Sequence, residues 1–351
     1  MQLIDRRTFA ASLTGGLVAA SLWSRARGEA GGAPGIDVDK IVQAAAETVR
    51  REYVDPAIAN KLADSLLKNL ARGSYKSSMP PHLLADLLTN DLRAQTSDLH
   101  MSVTYVPQAL DKAAPDEISE DDLDSAAIGW GVQSVARLPG NIGLLRVTHF
   151  ESGETFGSRC AAAMELLRQT SALIVDLTLN HGGDSDSAAY FMSYFLDHEI
   201  ELGHIAFRRG PEKIIKTYKS IAGPRYGESR PIFVAISKRT FSAGEAVAAQ
   251  LKSRRGATLV GRTTRGGAHI GEFFSLPGEF KIFVVTGRDL TRDWEGVGVA
   301  ADIAAEPEFA VSMAHRLALR GLVDSATDEV LRQVLLNVRD HSIENLSSFE
   351  F

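Results

Sequence analysis

The sequence predicts an α/β fold in two parts: a small N-terminal helical domain, then a β-α core built around a parallel-rich sheet. Three observations carry that expectation. From Asp37 to Thr96 the apolar residues recur at three- and four-residue spacing, the period of helices with one buried face. Beyond Ala127 short runs rich in Val, Ile and Leu take over, each long enough for a single strand. These runs alternate with helical patterns, the chain order that right-handed βαβ crossovers require.

In the helical part the apolar sets are Ile41, Ala45 and Val49, then Leu62, Leu66, Leu67 and Leu70, then Leu83, Leu84, Leu87, Leu88 and Leu92. Breaks at Asp55-Pro56, Gly73 and Met79-Pro80-Pro81 separate them into three helices. An acidic stretch follows, with Asp111, Asp116, Glu117, Glu120, Asp121, Asp122 and Asp124 against Lys112, a composition that suits an exposed linker. Strands are expected at 127–138, 141–147, 172–178, 205–208, 214–218, 232–237, 258–261 and 281–286. Helices are expected at 154–169, 185–196 and 243–253, and two more helical segments follow Pro307. The division is therefore 1–30 leader, 37–105 helical cap domain, 106–126 acidic linker, 127–305 α/β domain and 306–351 C-terminal helical segment.

Composition narrows the partners. Lys and Arg number 38 against 44 Asp and Glu, a net charge of −6 over 351 residues. Nucleic acids and anionic membranes both need clustered cations, so neither is an expected partner. The single cysteine, Cys160, rules out an intramolecular disulfide and a Cys-rich zinc site, and its setting beside Ala161, Ala162 and Ala163 fits a buried helix face. No His-Glu-x-x-His or comparable spacing occurs, so no metal is expected. The Gly-rich loops lack the Lys-Ser/Thr pattern of phosphate binding, so no cofactor is expected either. Arg6 and Arg7 precede a modestly apolar run from Phe9 to Trp23. This resembles a twin-arginine export signal, and the run is shorter than the ~18–20 residues needed to span a bilayer. A periplasmic or secreted protein without stable membrane insertion is the expectation.

Two turns could carry chemistry. In PIFVAISKRTFSAGEAVAAQL a buried strand leads through a short turn to Ser242 at the start of a helix, where free N–H groups and the helix dipole favour developing negative charge. Ser242 with Glu245 three residues on is equally a capping box, in which the serine only satisfies the first turn. In ALIVDLTLNHGGDSDSAAYF another buried strand ends at Asn180-His181-Gly182-Gly183. Paired glycines allow positive φ and bring main-chain N–H groups close to a ligand, as an oxyanion hole requires. An ordinary Gly-rich strand-to-helix turn reads the same way.

Taken together, LTNDLRAQTSDLHMSV, ARLPGNIGLLRVTHF, LIVDLTLNHGG, SKRTFSAGEAVA, LVGRTTRGGAH and DWEGVGVAADI resemble, in order and spacing from about Ile41 to Ile303, the C-terminal processing (tail-specific) serine peptidases. The resemblance is to the branch containing the interphotoreceptor retinoid-binding protein repeats and the tricorn core. It implies a ClpP/crotonase-like core and a serine-type peptidase acting on peptides or proteins. Ser242 matches the family nucleophile, Gly182 and Gly183 the Gly-Gly turn of the oxyanion hole, and the Ala243 N–H its second donor. The processing proteases take their base from a lysine, but Gly261-Arg262-Thr263-Thr264-Arg265-Gly266-Gly267-Ala268 carries glycine where that lysine would be. Tricorn-like relatives use a histidine that His100 matches and a glutamate that Glu295 matches. The resemblance thus implies a Ser242, His100 and Glu295 set, with Glu295 orienting the imidazole.

His269, which follows Gly266-Gly267 near the missing lysine, is the alternative base; His149 and His181 are weaker candidates. Asp98 either braces His100 or is an exposed helix-end aspartate. Leu99 and Ala301 depart from the family pattern, which has a small residue and a proline at those places. The interval 103–128 is too short for a PDZ-like substrate-reading domain. Two other functions fit the same resemblance: a non-catalytic carrier of an apolar, retinoid- or lipid-like ligand, and a hydrolase of a small ester or lactone. Loss of the nucleophile or base would mark the carrier, and neither is lost. Oligomeric state is not legible in the sequence.

Overall fold

The computed structural model describes residues 36–96, 98–107 and 129–345, with side chains described as far as residue 340. The export-signal reading and most of the acidic linker lie outside the described residues.

Three helices open the described chain: α1 (Val38–Glu52), α2 (Pro56–Ala71) and α3 (Pro81–Thr96). Asp37 caps α1 by accepting from the Lys40 amide, and Asp55 caps α2 by accepting from the amides of Ala57 and Ile58 with Pro56 at the first helical position. Their buried faces carry the residues that the periodicity marks, including Ile41, Leu62, Leu66, Leu84, Leu88 and Leu92.

These helices do not close a core alone. The same cluster includes Met101, Val103 of strand β1 (Ser102–Tyr105), and Leu276, Phe280, Ile282 and Val284 from far along the chain. The last four belong to an antiparallel sheet whose long strand β10 (Phe280–Asp289) pairs with β9 (Ile270–Leu276) and, in turn, with β1 and β5 (Glu201–Phe207). Strand β6 (Lys213–Lys216) completes it beside β5.

The second sheet has six strands in the order β11-β8-β7-β4-β3-β2. They are β2 (Val132–Leu138), β3 (Ile142–Val147), β4 (Ala172–Asp176), β7 (Ile232–Ile236), β8 (Thr258–Gly261) and β11 (Ile303–Ala304). All its pairings are parallel except the β2–β3 hairpin. This is the parallel-rich sheet that the sequence predicts. Alternate residues serve alternate faces. Leu145, Leu173 and Val175 pack under α4 (Glu154–Leu167), α5 (Ser185–Met192) and α6 (Ala243–Arg255), while Leu144, Ile174 and Val260 meet Ala314, Ala318 and Leu319 of α7 (Pro307–Ser325). Strand β4, ALIVD, is buried at every position because both faces are covered. A last helix, α8 (Glu329–Asn345), packs on α7.

Several boundaries differ from the expectation for physical reasons. Strand β4 stops at Asp176 because its carboxylate accepts from both the amide and the hydroxyl of Thr178, which starts a turn. Strand β5 begins at Glu201, where Gly203 and His204 interrupt the apolar pattern. Strands β1, β9 and β11 go unread in the sequence. β1 has four residues, β11 two, and β9 carries Gly271 and Glu272. Cys160 is buried as expected, and burial pushes its thiol far up, so it is no nucleophile.

Because the helical core is completed by β10, Ile282→Ala should cost about 2–5 kcal/mol, the usual range for a buried Ile-to-Ala truncation. Chemical denaturation should show the helices and the antiparallel sheet weakening in one shifted transition. A transition that leaves the helical signal in place would contradict the shared core.

Candidate active site

The turn after β7 and the turn after β4 lie side by side and are tied together. Ser237 donates its hydroxyl to the Thr178 carbonyl, Thr240 to the Leu177 carbonyl, and the Phe241 amide to the Asn180 carbonyl. The chain then enters α6 through Ser242, whose backbone sits at φ 52° and ψ −121°. A residue with a side chain pays about 1–3 kcal/mol to hold such a conformation. The turn thrusts the side chain of Ser242 outward between the preceding strand and the helix.

The adjoining glycines are required. Gly182 and Gly183 have φ of 104° and 126°. A Cβ at Gly182 would come within 2.8 Å of the Ser242 Cβ, and one at Gly183 within 2.3 Å of the Phe150 carbonyl oxygen. The Gly182 amide donates to Asn180 Oδ1 at 2.9 Å, so it is not free for a substrate. Gly182 thus takes part in the Gly-Gly turn through its backbone shape. Ala243 is the first residue of α6, so its amide has no partner within the helix. Gly183 and Ala243 both line the cavity beside Ser242.

Glu245, fully buried, is the centre of this region. Its Oε2 accepts from the amides of Ser242 at 2.9 Å and Gly267 at 2.7 Å; its Oε1 accepts from the Gly266 amide at 2.7 Å and from the Thr264 hydroxyl. Thr264 in turn accepts from the Val299 amide. Burial pushes the Glu245 carboxyl up, against the pull of those four donors. The Ser-x-x-Glu spacing announces the first of these bonds, but not the loop 264–267 that the carboxylate also holds.

His100 and His269 share one carboxylate. Asp98 Oδ1 lies 3.2 Å from His100 Nδ1 and accepts from the His100 amide at 3.0 Å, while Oδ2 lies 2.8 Å from His269 Nδ1. Asp98 is 1% exposed, which settles the choice between brace and surface aspartate in favour of the brace. Burial alone would raise its carboxyl, but the bonds and charges from the two histidines outweigh it and hold it well below the usual carboxylate range. The His100 ring lies against Phe241 with centroids 4.4 Å apart, next to Ser242, and its buried Nε2 has no partner among the described residues. A Cβ on Gly267 would come within 2.6 Å of His100 Cε1, so only glycine fits there.

Glu295 occupies a different place from the expected one. Its Oε2 accepts from the amides of Ala268 at 2.7 Å and His269 at 3.3 Å, and lies 3.5 Å from His269 Nδ1. No hydrogen bond joins it to His100 among the described residues. The carboxylate that orients His100 is Asp98, because the turn 98–100 places both on one short segment. Burial, followed by the nearby Asp98 charge, raises the Glu295 carboxyl. For His269, burial opposes the charged form, but the hydrogen bond and charge of Asp98, with Glu295, outweigh it and raise its pKa. Ligand atoms of Asp98, His269 and Glu295 lie within 4.8 Å of one another, a donor set that could in principle grip a cation. The amides of Ala268 and His269 engage Glu295 Oε2 and the Asp98–His269 bond engages Asp98 Oδ2 and His269 Nδ1, while Glu295 Oε1 is buried with no partner among the described residues.

Ser242, His100, His269, Gly183 and Ala243 line one cavity of about 250 Å³, with Trp294 at its edge donating to the Gly267 carbonyl. His149 and His181 do not line it. They stack on each other at 4.5 Å behind the Gly182-Gly183 turn, and burial lowers the pKa of both.

The profile of peptidase family S41 matches residues 141–305, and that of the N-terminal domain of S41 peptidases in eukaryotic IRBP matches residues 36–127. The chain belongs to peptidase family S41. It is 30% identical over 179 residues to the chloroplastic carboxyl-terminal-processing peptidase 2 of Arabidopsis thaliana, covering 48% of this chain and 34% of that protein. It is 26% identical over 176 residues to the carboxy-terminal processing protease CtpA of Bacillus subtilis, covering 48% of this chain and 36% of the other. The alignments thus span only about a third of the length of these relatives. The structure of a lipoprotein from Streptococcus agalactiae superposes with a TM-score of 0.57 at 15% identity, over 82% of this chain and 98% of that one, and so shares the fold. Among the described residues no helix is long and apolar enough to cross a membrane.

The Asp98–His269 pair makes stability depend on pH in a defined window. A depressed Asp98 contributes above its ordinary value of 3.8 and is lost as pH falls further; a raised His269 contributes below its ordinary 6.5 and is lost as pH rises through its folded pKa. The difference in urea midpoint between wild type and His269→Asn should therefore be greatest from about pH 4 to 6.5 and shrink above it. A difference that grows with rising pH would contradict the pairing.

Proposed function

We propose that the protein is a serine peptidase in which Ser242 attacks a peptide carbonyl, His100 accepts its proton, and the amides of Gly183 and Ala243 receive the oxyanion. The observation that carries this reading is Ser242 itself, held at positive φ on a strand-to-helix turn and facing a cavity that contains a buried imidazole nitrogen with no partner. A plain helix cap needs neither the strain nor the cavity.

His100 is favoured over His269 as base. A raised pKa keeps His269 cationic over more of the neutral range, and a cation accepts no proton. Asp98 fixes the His100 tautomer with Nδ1 protonated and stabilises the imidazolium that forms. Glu295, bound to the His269 backbone and close to its ring, steadies that second histidine, so the carboxylate support is divided between Asp98 and Glu295. As the tetrahedral intermediate collapses and the C–N bond breaks, the imidazolium gives its proton to the leaving amine; a water then attacks the acyl-serine with His100 as base, releasing the acid and the Ser242 hydroxyl.

A fluorophosphonate should label wild type at Ser242, identified by peptide mass. Ser242→Ala should abolish labelling, and His100→Asn should slow it by about a hundredfold or more, the scale of general-base catalysis. Labelling that survives Ser242→Ala would refute the assignment.

The Arg6-Arg7 pair ahead of Phe9–Trp23 supports export through a twin-arginine route. Replacing both arginines with lysine should hold the protein in the cytoplasmic fraction of a Gram-negative host. Unchanged export of the double variant would exclude that route.

A further inference from the structure

The cavity extends beyond the attacking groups. From Ser242 it runs between α5 and α6 toward the antiparallel sheet, past Ala188, Met192, Val247, Ile205 and Ile215. These walls are apolar, but the far end is not.

Gln250 lines that end and is 4% exposed. Its Nε2 donates to the Leu202 carbonyl, which fixes the orientation of the amide and turns Oε1 away from β5. That oxygen is buried and meets no donor among the described residues. Asp289, at the end of β10, reaches the residue that follows Leu202 on β5: its Oδ2 lies over Gly203, where an added Cβ would come within 2.5 Å. Asp289 Oδ1 is occupied, accepting from the Thr291 amide at 2.8 Å, the Thr291 hydroxyl at 2.7 Å and the His204 amide at 3.4 Å. No hydrogen bond or ion pair to Oδ2 occurs among the described residues; Arg292 senses the Asp289 charge without pairing to it. The cavity thus ends in two acceptors, one of them buried and unpaired.

We infer that this pocket receives the side chain on the acyl side of the scissile bond and selects lysine there. The apolar walls suit the four methylenes, and the compact ammonium can donate to Gln250 Oε1 and Asp289 Oδ2 together. An aliphatic side chain of the same length fills the walls but leaves the buried amide oxygen unpaired, and that mismatch is what discriminates. The inference rests on Ser242 being the nucleophile.

The test uses the full chain and three reagents: a small fluorophosphonate, and two peptidyl diphenyl phosphonates that differ only in lysine or norleucine at the residue next to phosphorus. The fluorophosphonate should label Ser242, and the lysine reagent should inactivate about tenfold or more faster than the norleucine one, the scale of one charge-assisted hydrogen bond. In Asp289→Asn that ratio should fall toward one, with fluorophosphonate labelling of the variant reporting whether its site is assembled. Labelling by the fluorophosphonate with equal or faster inactivation by norleucine overturns the lysine pocket and leaves the serine hydrolase standing. An unchanged ratio in Asp289→Asn overturns the acceptor assignment. No fluorophosphonate labelling of wild type removes the nucleophile, and the pocket's role goes with it.

Discussion

A buried carboxylate on the first turn of α6 holds the site together. Glu245 joins the strained Ser242 backbone to Thr264, Gly266 and Gly267, residues that follow β8, and the Arg265 amide adds a bond to the Thr240 carbonyl. An unpaired carboxylate buried this deeply would be costly by several kcal/mol, so the four donors and the charge stabilise one another or not at all. The consequence is geometric. Once the Gly266-Gly267 amides are fixed, Gly267 presses on His100, Trp294 clasps the Gly267 carbonyl, and Ala268 and His269 are delivered to Glu295. The positive φ of Ser242 is sustained by the same bond, because its amide points into the Glu245 carboxylate.

The charge arrangement around the two histidines follows from that delivery. Asp98 alone could brace only His100; with His269 brought to its other oxygen, one anion serves two imidazoles, and Glu295 brings a second carboxylate to the same Nδ1 of His269. The imidazoles are thereby made unequal. His269 has two carboxylates near Nδ1 and is biased toward the cation, whereas His100 keeps a buried, unpartnered Nε2. One imidazole with an unpartnered nitrogen beside another biased toward the cation suits a reaction that develops negative charge on a carbonyl oxygen.

Much of this was legible in the chain. The amphipathic spacing of Ile41, Leu62, Leu84 and their neighbours gives the three helices, and the all-apolar runs give the buried parallel strands, because both patterns report burial directly. Ser242 and the Gly182-Gly183 turn stand out for the same local reason: each follows a buried strand and opens a helix. What was not legible depended on distance in sequence. Asp98 looks like a helix-end residue until β10 and the loop before β9 close over it, and its second partner lies 171 residues away. The motif order suggested Glu295 as the partner of His100, but spacing cannot say which oxygen of which acid reaches a given nitrogen. Short strands such as β1, and β9 with Gly271 and Glu272, are stabilised by pairing to β10 rather than by any pattern of their own.

The shared core explains why His100 and Ser242 stay in register although they sit on opposite sides of the linker. His100 lies between α3 and β1; α3 packs on β1, and β1 pairs with β10, the strand that also carries Phe283 beside the His100 ring. Strand β10 reaches β5 through Gly287, Arg288 and Asp289, and β5 lines the cavity that opens at Ser242. A helical cap without that pairing would let His100 drift relative to Ser242. Strand pairing removes that freedom: displacing His100 from Ser242 would require breaking the β1–β10 ladder and opening the apolar core beneath it. The site is therefore a product of the whole described chain, with His100 anchored by strands that the sequence places nearly two hundred residues downstream.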